Sequence, residues 1–316
     1  MKRILLTYAF LLIAFTSACS RSGPTQEKAA GTKQEGSQRQ ELQNQKLQNQ
    51  LAQIASAAKG KVGVAATVLE TGETVSLNPH DHFPMQSVYK LPIGMAVMKQ
   101  VDAGKIKLEQ KVRVTKDDFG RRGQHGPIRD KNPDGAEMSV RDLLRYAISE
   151  SDGTASDVLM RLAGGPGAIQ SYLSELKIND MIVLNTEKEI GQDWQTQYRN
   201  WASPEAAIAL LRALQERRGL SESSQSLLLK YLIESTPGQK RLKGLLPAGT
   251  DVAHKTGTSG TQNGITAATN DIGIITLKNG RHLVIAVFVS DSPADEATRE
   301  GVIAKIAKAA WDAYGK

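Results

Sequence analysis

Cysteine is almost absent from this sequence, since Cys19 is the only one among 316 residues. A single cysteine excludes an intramolecular disulfide and any zinc site built from cysteines. The five histidines show no metal-ligand spacing. We therefore expect a protein that uses neither a metal nor a cofactor.

A hydrophobic run long enough to span a bilayer comfortably is also lacking. Residues 4–15 form an apolar run of signal-peptide length, which follows two basic residues and precedes small residues that end at Ala18. This pattern is typical of an export signal and predicts a periplasmic protein.

Residues 16–19 are similar to a bacterial lipobox, with Thr16 where leucine is usual. Lipidation would make Cys19 the first residue of the mature protein and would anchor it to the envelope membrane. The alternative is plain signal-peptidase cleavage after Ala18.

A concentration of basic charge is missing as well. The formal net charge of +7 is spread along the chain, without a basic stripe or an aromatic-rich motif. Nucleic-acid binding usually depends on such features. We therefore predict no nucleic-acid partner. A monomer that acts on a small molecule is a separate expectation.

The composition of the chain changes near residue 40. Residues 20–40 contain almost no large apolar side chain and predict a flexible tether. From Leu42 to Ala58, apolar residues recur at helical spacing. Residues 61–69 and 74–77 then predict a β-hairpin. The folded domain is expected to cover residues 41–316.

The middle of this domain reads as helical, and its final third returns to a β pattern. Helices are predicted at residues 139–148, 154–162, 203–219, 221–234 and 293–314, and strands at residues 252–258, 265–277 and 282–289. The last two strands are joined through Asn279 and Gly280, a pair that favours a type I′ turn.

These elements predict a mixed α/β (α+β) fold, with an antiparallel five-stranded sheet flanked by terminal helices and an inserted all-helical lobe. The sheet lobe would comprise residues 41–82 and 251–316, and the helical lobe residues 83–250. A cleft between the two lobes is the expected place for a site.

Ser87 and Lys90 are the first candidates for chemistry. On a helix that begins near Val88 they share one face, so the lysine amine can reach the serine hydroxyl. A serine becomes nucleophilic when a neighbouring base takes its proton. The same Ser-x-x-Lys pattern recurs at residues 56–59 and 174–177, so it does not identify a site by itself.

Three further stretches follow in order along the chain. They are Ser151-Asp152-Gly153 between two helices, Glu187 in an irregular segment, and Lys255-Thr256-Gly257-Thr258 on a strand. With this set the chain resembles a class A β-lactamase from about residue 42 to the C-terminus. Residues 241–249 and 266–271 are similar to the PER-type branch of that family.

The resemblance implies hydrolysis of β-lactam antibiotics through a serine acyl-enzyme, and hence antibiotic resistance. Ser87 would be the nucleophile, with Lys90 or Glu187 as the base for acylation. The backbone N–H groups of Ser87 and Thr258 would form the oxyanion hole. Ser151 would pass a proton to the lactam nitrogen.

The same resemblance implies that Glu187 activates the water that hydrolyses the ester, with Glu189 as the alternative in a shifted register. Substrate contacts would come from Gly153 and from the strand residues Lys255, Thr256, Gly257 and Thr258, which would hold the substrate carboxylate. Arg241 would add a second positive charge there, or would be a solvated surface charge.

Three departures from the family pattern stand out. Gly153 and Gly191 replace asparagines, of which the second helps to hold the hydrolytic water in most relatives. Asn185 and Asn200 replace an arginine–aspartate pair that commonly braces the loop around Glu187. The loop is therefore expected to be braced differently.

Two other functions stay open at this point. A penicillin-binding serine DD-peptidase would share these motifs, acylate and release the product slowly. A non-catalytic lipoprotein would bind β-lactams or peptidoglycan fragments without covalent attachment. The three tryptophans, Trp194, Trp201 and Trp311, are interpreted as packing residues.

Overall fold

The computed structural model describes residues 41–121 and 123–315. The predicted export signal, Cys19 and the tether lie outside these residues. The described residues from Asn44 onward belong to one compact unit. No helix among the described residues is long and apolar enough to cross a bilayer.

Strands lie mainly at the two ends of the described chain, and helices lie mainly between them. The strands are β1 (Lys61–Val68), β2 (Thr74–Leu77), β3 (Phe83–Pro84), β4 (Lys111–Val114), β5 (Ala136–Ser139), β6 (Met181–Ile182), β7 (Trp201–Ala202), β8 (Val252–Thr258), β9 (Thr261–Gln262), β10 (Ile265–Thr276) and β11 (His282–Ser292). The helices are α1 (residues 41–55), α2 (Lys90–Asp102), α3 (Pro127–Lys131), α4 (Val140–Ile148), α5 (Gly153–Ala163), α6 (Pro166–Glu175), α7 (Glu187–Ile190), α8 (Pro204–Gln215), α9 (Glu222–Ile233) and α10 (Glu296–Tyr314).

The main sheet joins the two ends of the chain. Its strand order is β2-β1-β11-β10-β8, with the short β9 added to β10. All of these pairings are antiparallel, and Ala65 of β1 lies opposite Ala286 of β11. The predicted antiparallel sheet of an α+β fold is therefore confirmed.

Strand β11 runs through the middle of the protein and is covered on both faces. Its residues from Leu283 to Ser290 are all buried. Since side chains alternate along a strand, Val284 and Phe288 pack into the cluster that contains α8, while Ile285 and Val287 pack into the cluster that contains α10. The continuous apolar sequence of residues 283–289 is thus explained by burial on both faces.

Helix starts follow the side chains that precede them. The Ser139 and Ser203 hydroxyls accept from the N–H groups of Asp142 and Ala206, both at 3.1 Å. Each serine thereby satisfies one of the free N–H groups in the first turn of its helix. Helix α8 ends at Gln215, and the predicted terminator Gly219 lies in the turn that follows, with φ of 73°.

Two details differ from the sequence-based expectation. The inserted lobe contains the antiparallel pair β4–β5 and the three short strands β3, β7 and β6, so it is not all-helical. The turn between β10 and β11 is not type I′. Leu277 O accepts from Gly280 N at 3.0 Å, Leu277 N donates to Arg281 O at 2.8 Å, and within this loop only Gly280 takes a positive φ, 78°. This is a three-residue loop with a glycine bulge.

Candidate active site

Ser87 lies in a 3₁₀ turn, Gln86–Tyr89, that leads directly into α2. Gln86, just before it, has φ of 48°, a conformation that costs a non-glycine residue energy. Its side-chain amide donates to Gln197 Oε1 at 2.6 Å, and this buried bond holds the strained residue in place. The serine hydroxyl lines the main cleft and is not engaged by any described residue.

Strand β10 holds the segment before Ser87 against β8. The Asn270 side chain donates to Pro84 O at 2.8 Å and to Met85 O at 3.2 Å. A Cβ on Gly257 would lie only 2.2 Å from Met85 O, so glycine is what permits β8 to approach this closely. The nucleophile is thus fixed beside the sheet.

Strand β8 ends the sheet order on the side of the cleft. Ser259 N donates to Ala268 O at 3.0 Å, towards β10. Because successive N–H groups of a strand point to opposite sides, the N–H of Thr258 points away from β10 and towards the cleft. It is available to an anion beside Ser87, as an oxyanion hole requires.

Lys90 and Lys255 converge on Ser151. Lys90 Nζ donates to Ser151 O at 2.7 Å, and Lys255 Nζ donates to Ser151 Oγ at 2.8 Å. Ser151 has φ of 58°, which turns its carbonyl and hydroxyl towards the two amines. Lys90 Nζ also lies 3.4 Å from Glu187 Oε2. Lys255 can therefore exchange a proton with the Ser151 hydroxyl, and Lys90 pairs with the Glu187 carboxylate. The bond from Lys90 to the Ser151 carbonyl only holds the amine in place.

Lys255 is fully buried. Burial, followed by the positive charge of Lys90, lowers the pKa of its amine well below the usual value. Asp271 and Glu187 oppose this effect. A substrate carboxylate that approaches Lys255 would stabilise the charged amine, so substrate binding and protonation favour one another.

Asp152 fixes the turn that carries Ser151. Its carboxylate accepts from Ile128 N at 2.7 Å and from Ala155 N at 2.8 Å, the latter as the N-cap of α5. The side chain is completely buried, and burial raises its pKa. Asp152 therefore serves the geometry of Ser151 rather than the substrate.

Glu187 is the first residue of the short helix α7, where an irregular segment was predicted. Thr186 and Glu189 form a capping box: Glu189 Oε2 accepts from Thr186 N at 2.8 Å, and Thr186 Oγ1 accepts from Glu189 N at 3.2 Å. Glu189 is thereby occupied, whereas Glu187 lines the cleft. The geometry distinguishes the two glutamates that the sequence left open.

Two asparagines brace the loop around α7. Asn200 Oδ1 accepts from Leu184 N at 2.8 Å and from Asn185 N at 2.9 Å, while its Nδ2 donates to Asn185 O at 2.8 Å. Asn185 Nδ2 reaches Glu189 Oε2 at 3.3 Å. As expected, the loop has no salt bridge at these two positions. Hydrogen bonds between Asn200 and the backbone brace it instead.

Asp157 of α5 holds the start of α7. Its two carboxylate oxygens accept from Glu187 N at 2.7 Å and from Lys188 N at 2.9 Å. Burial raises the pKa of Asp157 to about 7, although these two bonds act in the opposite direction. The backbone of Glu187 is thus tied to the helix that follows Ser151.

Gly153 lies against Glu187 itself, and Gly191 lies against Gln124, which binds the backbone of Glu187. A Cβ at Gly153 would be 2.5 Å from Cγ of Glu187. A Cβ at Gly191 would be 2.4 Å from Nε2 of Gln124, and this same amide donates to Glu187 O at 2.9 Å. Larger residues at these positions would displace groups that place Glu187.

Arg241 is buried, only 3% exposed, so the solvated-surface alternative is wrong. Its guanidinium contacts Glu300 at 3.0 Å and donates to Thr258 Oγ1 at 2.8 Å. Because the Arg241 guanidinium donates to Thr258 Oγ1, the hydroxyl group of Thr258 is free to donate its own proton into the cleft. Arg241 does not line the cleft and acts there through Thr258.

The cleft has a volume of about 810 Å³. Of the residues predicted to act here, it is lined by Ser87, Lys90, Ser151, Glu187, Thr256 and Thr258, while Gly153, Arg241, Lys255 and Gly257 lie behind its wall. Trp194, interpreted as a packing residue, also lines the cleft. The other two Ser-x-x-Lys copies do not line the cleft. Their serines, Ser56 and Ser174, donate to the backbone of their own helical segments.

Sequence reasoning missed several residues that shape this site. They are Gln86, Tyr89, Gln124, Asp157, Gln197 and Asn270. Only Gln86 and Tyr89 had a local signal, since they flank Ser87 and Lys90. The part of the chain that the structure describes holds no cluster of three or more His, Cys, Asp or Glu residues suited to a metal ion.

Comparison with known proteins agrees with this arrangement. The model of the β-lactamase enzyme family matches residues 46–314. The chain belongs to this β-lactamase family. It is 43% identical to the extended-spectrum β-lactamase PER-1 of Pseudomonas aeruginosa over 261 residues. The aligned residues cover 83% of this chain and 85% of PER-1. The expected resemblance to the PER-type branch is confirmed.

Other relatives support the same membership. The β-lactamase VEB-1 of Pseudomonas aeruginosa is 40% identical over 266 residues, covering 84% of this chain and 89% of VEB-1. The crystal structure of a β-lactamase from Chitinophaga pinensis is 46% identical and superposes with a TM-score of 0.83, covering 85% of this chain and 99% of that one.

Proposed function

We propose that this chain hydrolyses the β-lactam ring of penicillins and cephalosporins through an acyl-enzyme on Ser87 and thereby confers antibiotic resistance. The observation that carries the proposal is a single cleft lined by Ser87, Lys90, Ser151 and Glu187. In it Lys90 Nζ lies 2.7 Å from Ser151 O and 3.4 Å from Glu187 Oε2. A nucleophile, bases and a proton donor are within reach of one substrate.

Acylation begins when the Ser87 oxygen attacks the lactam carbonyl carbon while its proton moves to Lys90. The N–H groups of Ser87 and Thr258 bind the oxyanion, an arrangement worth several kcal/mol at the transition state. Ser151 gives its proton to the lactam nitrogen as the C–N bond breaks and takes one back from the Lys255 ammonium, whose charge is restored by the proton released from Ser87. Lys255, 2.8 Å from Ser151 Oγ, supports that transfer.

Substrate binding relies on the edge of β8. Lys255 provides positive charge, and Thr256 and Thr258 provide hydroxyl donors to the substrate carboxylate. Arg241, hydrogen-bonded to Thr258 at 2.8 Å, orients one of these donors. Gly153 has no side chain, so this position supplies no side-chain amide to the substrate.

Deacylation is assigned to Glu187. Its carboxylate takes a proton from water, the water oxygen bonds to the acyl carbon, and the bond to Ser87 breaks as the proton returns to the serine. The placement of this glutamate in the cleft is what favours a hydrolase over a penicillin-binding DD-peptidase.

A time course of chromogenic cephalosporin hydrolysis, run at enzyme concentrations that resolve the first turnover, tests the proposal. We expect a burst of one product per site and then sustained turnover. Ser87→Ala should abolish both phases, and Glu187→Gln should keep the burst and reduce the steady state by about 10²-fold or more.

Either of two results would contradict the proposal. A wild-type burst without turnover would identify a penicillin-binding peptidase. Binding of the substrate with no covalent mass increase on Ser87 would identify a non-catalytic binding protein. Gly167→Ala, a change with nothing within 4 Å of the added Cβ, serves as a folding control that keeps wild-type rates.

We also propose that the chain is exported to the periplasm and carries lipid on Cys19. The basis is the signal-like sequence of residues 1–19. Labelling of expressing cells with a radioactive fatty acid should mark the wild-type protein and not Cys19→Ala. An unlabelled wild-type protein in the periplasmic fraction would instead indicate cleavage after Ala18.

A further inference from the structure

Tyr89 is a buried phenol between the two motif residues Ser87 and Lys90. It ends the 3₁₀ turn, and its side chain is completely shielded from solvent. Its hydroxyl donates to Oε2 of Glu187 at 2.9 Å. The phenol therefore touches the carboxylate to which deacylation was assigned, from the protein side of the cleft.

The two oxygens of Glu187 have different surroundings. Oε2 receives the Tyr89 hydroxyl and lies 3.4 Å from Lys90 Nζ. Among the described residues, none donates to Oε1. The side chain is 15% exposed and lines the cleft. One oxygen is held by the protein, and the other is left for a ligand or water.

Tyr89 is suited to hold a carboxylate without neutralising it. Burial, followed by the negative charges of Glu187 and Asp157, raises the pKa of its phenol well above the usual value. The hydroxyl therefore keeps its proton and acts as a neutral donor. Lys90, the other neighbour of Oε2, is shared with Ser151 at 2.7 Å.

We propose that Tyr89 is a positioning residue for deacylation, which fixes Oε2 of Glu187 so that Oε1 receives the proton from the hydrolytic water. This inference rests on the proposed function. In the step it serves, the water oxygen bonds to the acyl carbon, one water proton moves to Oε1, and the bond from the acyl carbon to Ser87 breaks. Tyr89 itself neither gains nor loses a proton.

Tyr89→Phe tests the inference because it removes one oxygen from a buried ring and keeps its shape. We expect the deacylation rate constant to fall by about 10- to 100-fold, since a hydrogen bond to a charged group is lost. Acyl-enzyme should accumulate in intact-protein mass spectra during turnover. The acylation rate constant should change by less than about threefold.

A double-mutant comparison provides a readout that a purely structural role would not move. In a Glu187→Gln background the same substitution should have little further effect on deacylation, because the acceptor it serves has been removed.

Tyr172→Phe is the matched control. Tyr172 is also a buried tyrosine, but its hydroxyl has no hydrogen-bond partner among the described residues. This variant should keep both rate constants. The inference would be overturned by unchanged deacylation in Tyr89→Phe, or by equal losses in acylation and deacylation. Sustained turnover by the wild type would still support the proposed function in that case. A wild-type burst without turnover would reject both.

Discussion

Gly153 and Glu187 share a space that holds only one side chain. The missing Cβ of Gly153 would lie 2.5 Å from Cγ and 3.2 Å from Cδ of Glu187. In the family pattern this position is an asparagine that contacts substrate, so the sequence alone indicates a lost substrate contact. The packing shows a second consequence, since glycine here allows the glutamate to lie against the start of α5.

Gly153→Ala should therefore displace the carboxylate of Glu187. Since Glu187 is the flexible partner, we expect the fold to persist and the deacylation rate to fall about tenfold or more, with accumulation of the acyl-enzyme in rapid-quench experiments. A variant that deacylates at the wild-type rate would show that Glu187 can adjust without loss. The helical Gly167→Ala is the appropriate comparison.

At the level of single residues, the sequence was most informative where a short motif carries the chemistry. Ser87, Lys90, Ser151 and Glu187 were predicted in advance and line one cleft. Their partners were not, because Asn270 lies 185 residues from Met85 in the chain and no local pattern connects them. Contacts of this length become visible only once the fold has formed.

Among the secondary-structure elements, α5 and α7 form the pair on which the glutamate depends. Asp157 of α5 binds the N–H groups of Glu187 and Lys188 at 2.7 and 2.9 Å. Negative charge is favoured at the beginning of a helix. Burial opposes it, and the pKa of Asp157 is raised from 3.8 to about 7.

This raised pKa predicts a pH dependence of stability. Between pH 4 and pH 7 the native state holds a proton on Asp157 that the unfolded state releases, so this group lowers the free energy of unfolding as pH rises through that window. The full effect is about 4 kcal/mol at most. Above about pH 7 both states are ionised and the contribution is constant.

Urea unfolding at several values from pH 4.5 to pH 8, roughly spanning that window, measures the effect. Asp157→Asn should unfold with a weaker pH dependence than the wild type. The exposed Asp180→Asn should retain the wild-type slope. Equal slopes in wild type and Asp157→Asn would mean that the carboxyl group titrates alike in the folded and unfolded states.

Long elements with a clear period were predictable, and short ones were not. The apolar sequence of β11 and the helical apolar spacing of α4 made these elements predictable. Helix α7 has only four residues, Glu187–Ile190, too few for an apolar period to show. Its existence depends on the Thr186–Glu189 capping box and on Asp157.

On the scale of the whole molecule, the sequence predicted the antiparallel sheet made from both ends of the chain. β patterns at the two ends with helices between them left few other arrangements. The prediction erred on the inserted lobe. It overlooked the alternating residues of β4 and β5, and β3, β6 and β7 have only two residues each, too few to leave a pattern. Pairings of two residues arise from tertiary contact.

The place of β1 also sets an order of events during synthesis. Strand β1 ends at Val68 and pairs with β11, which begins at His282. This pairing partner is therefore synthesised more than 200 residues after β1. At about 5–20 residues per second this gap lasts roughly ten seconds or longer. Until the ribosome has completed β11, the main sheet cannot form. During this time the nascent chain remains unfolded enough to be bound by a chaperone or a translocation channel.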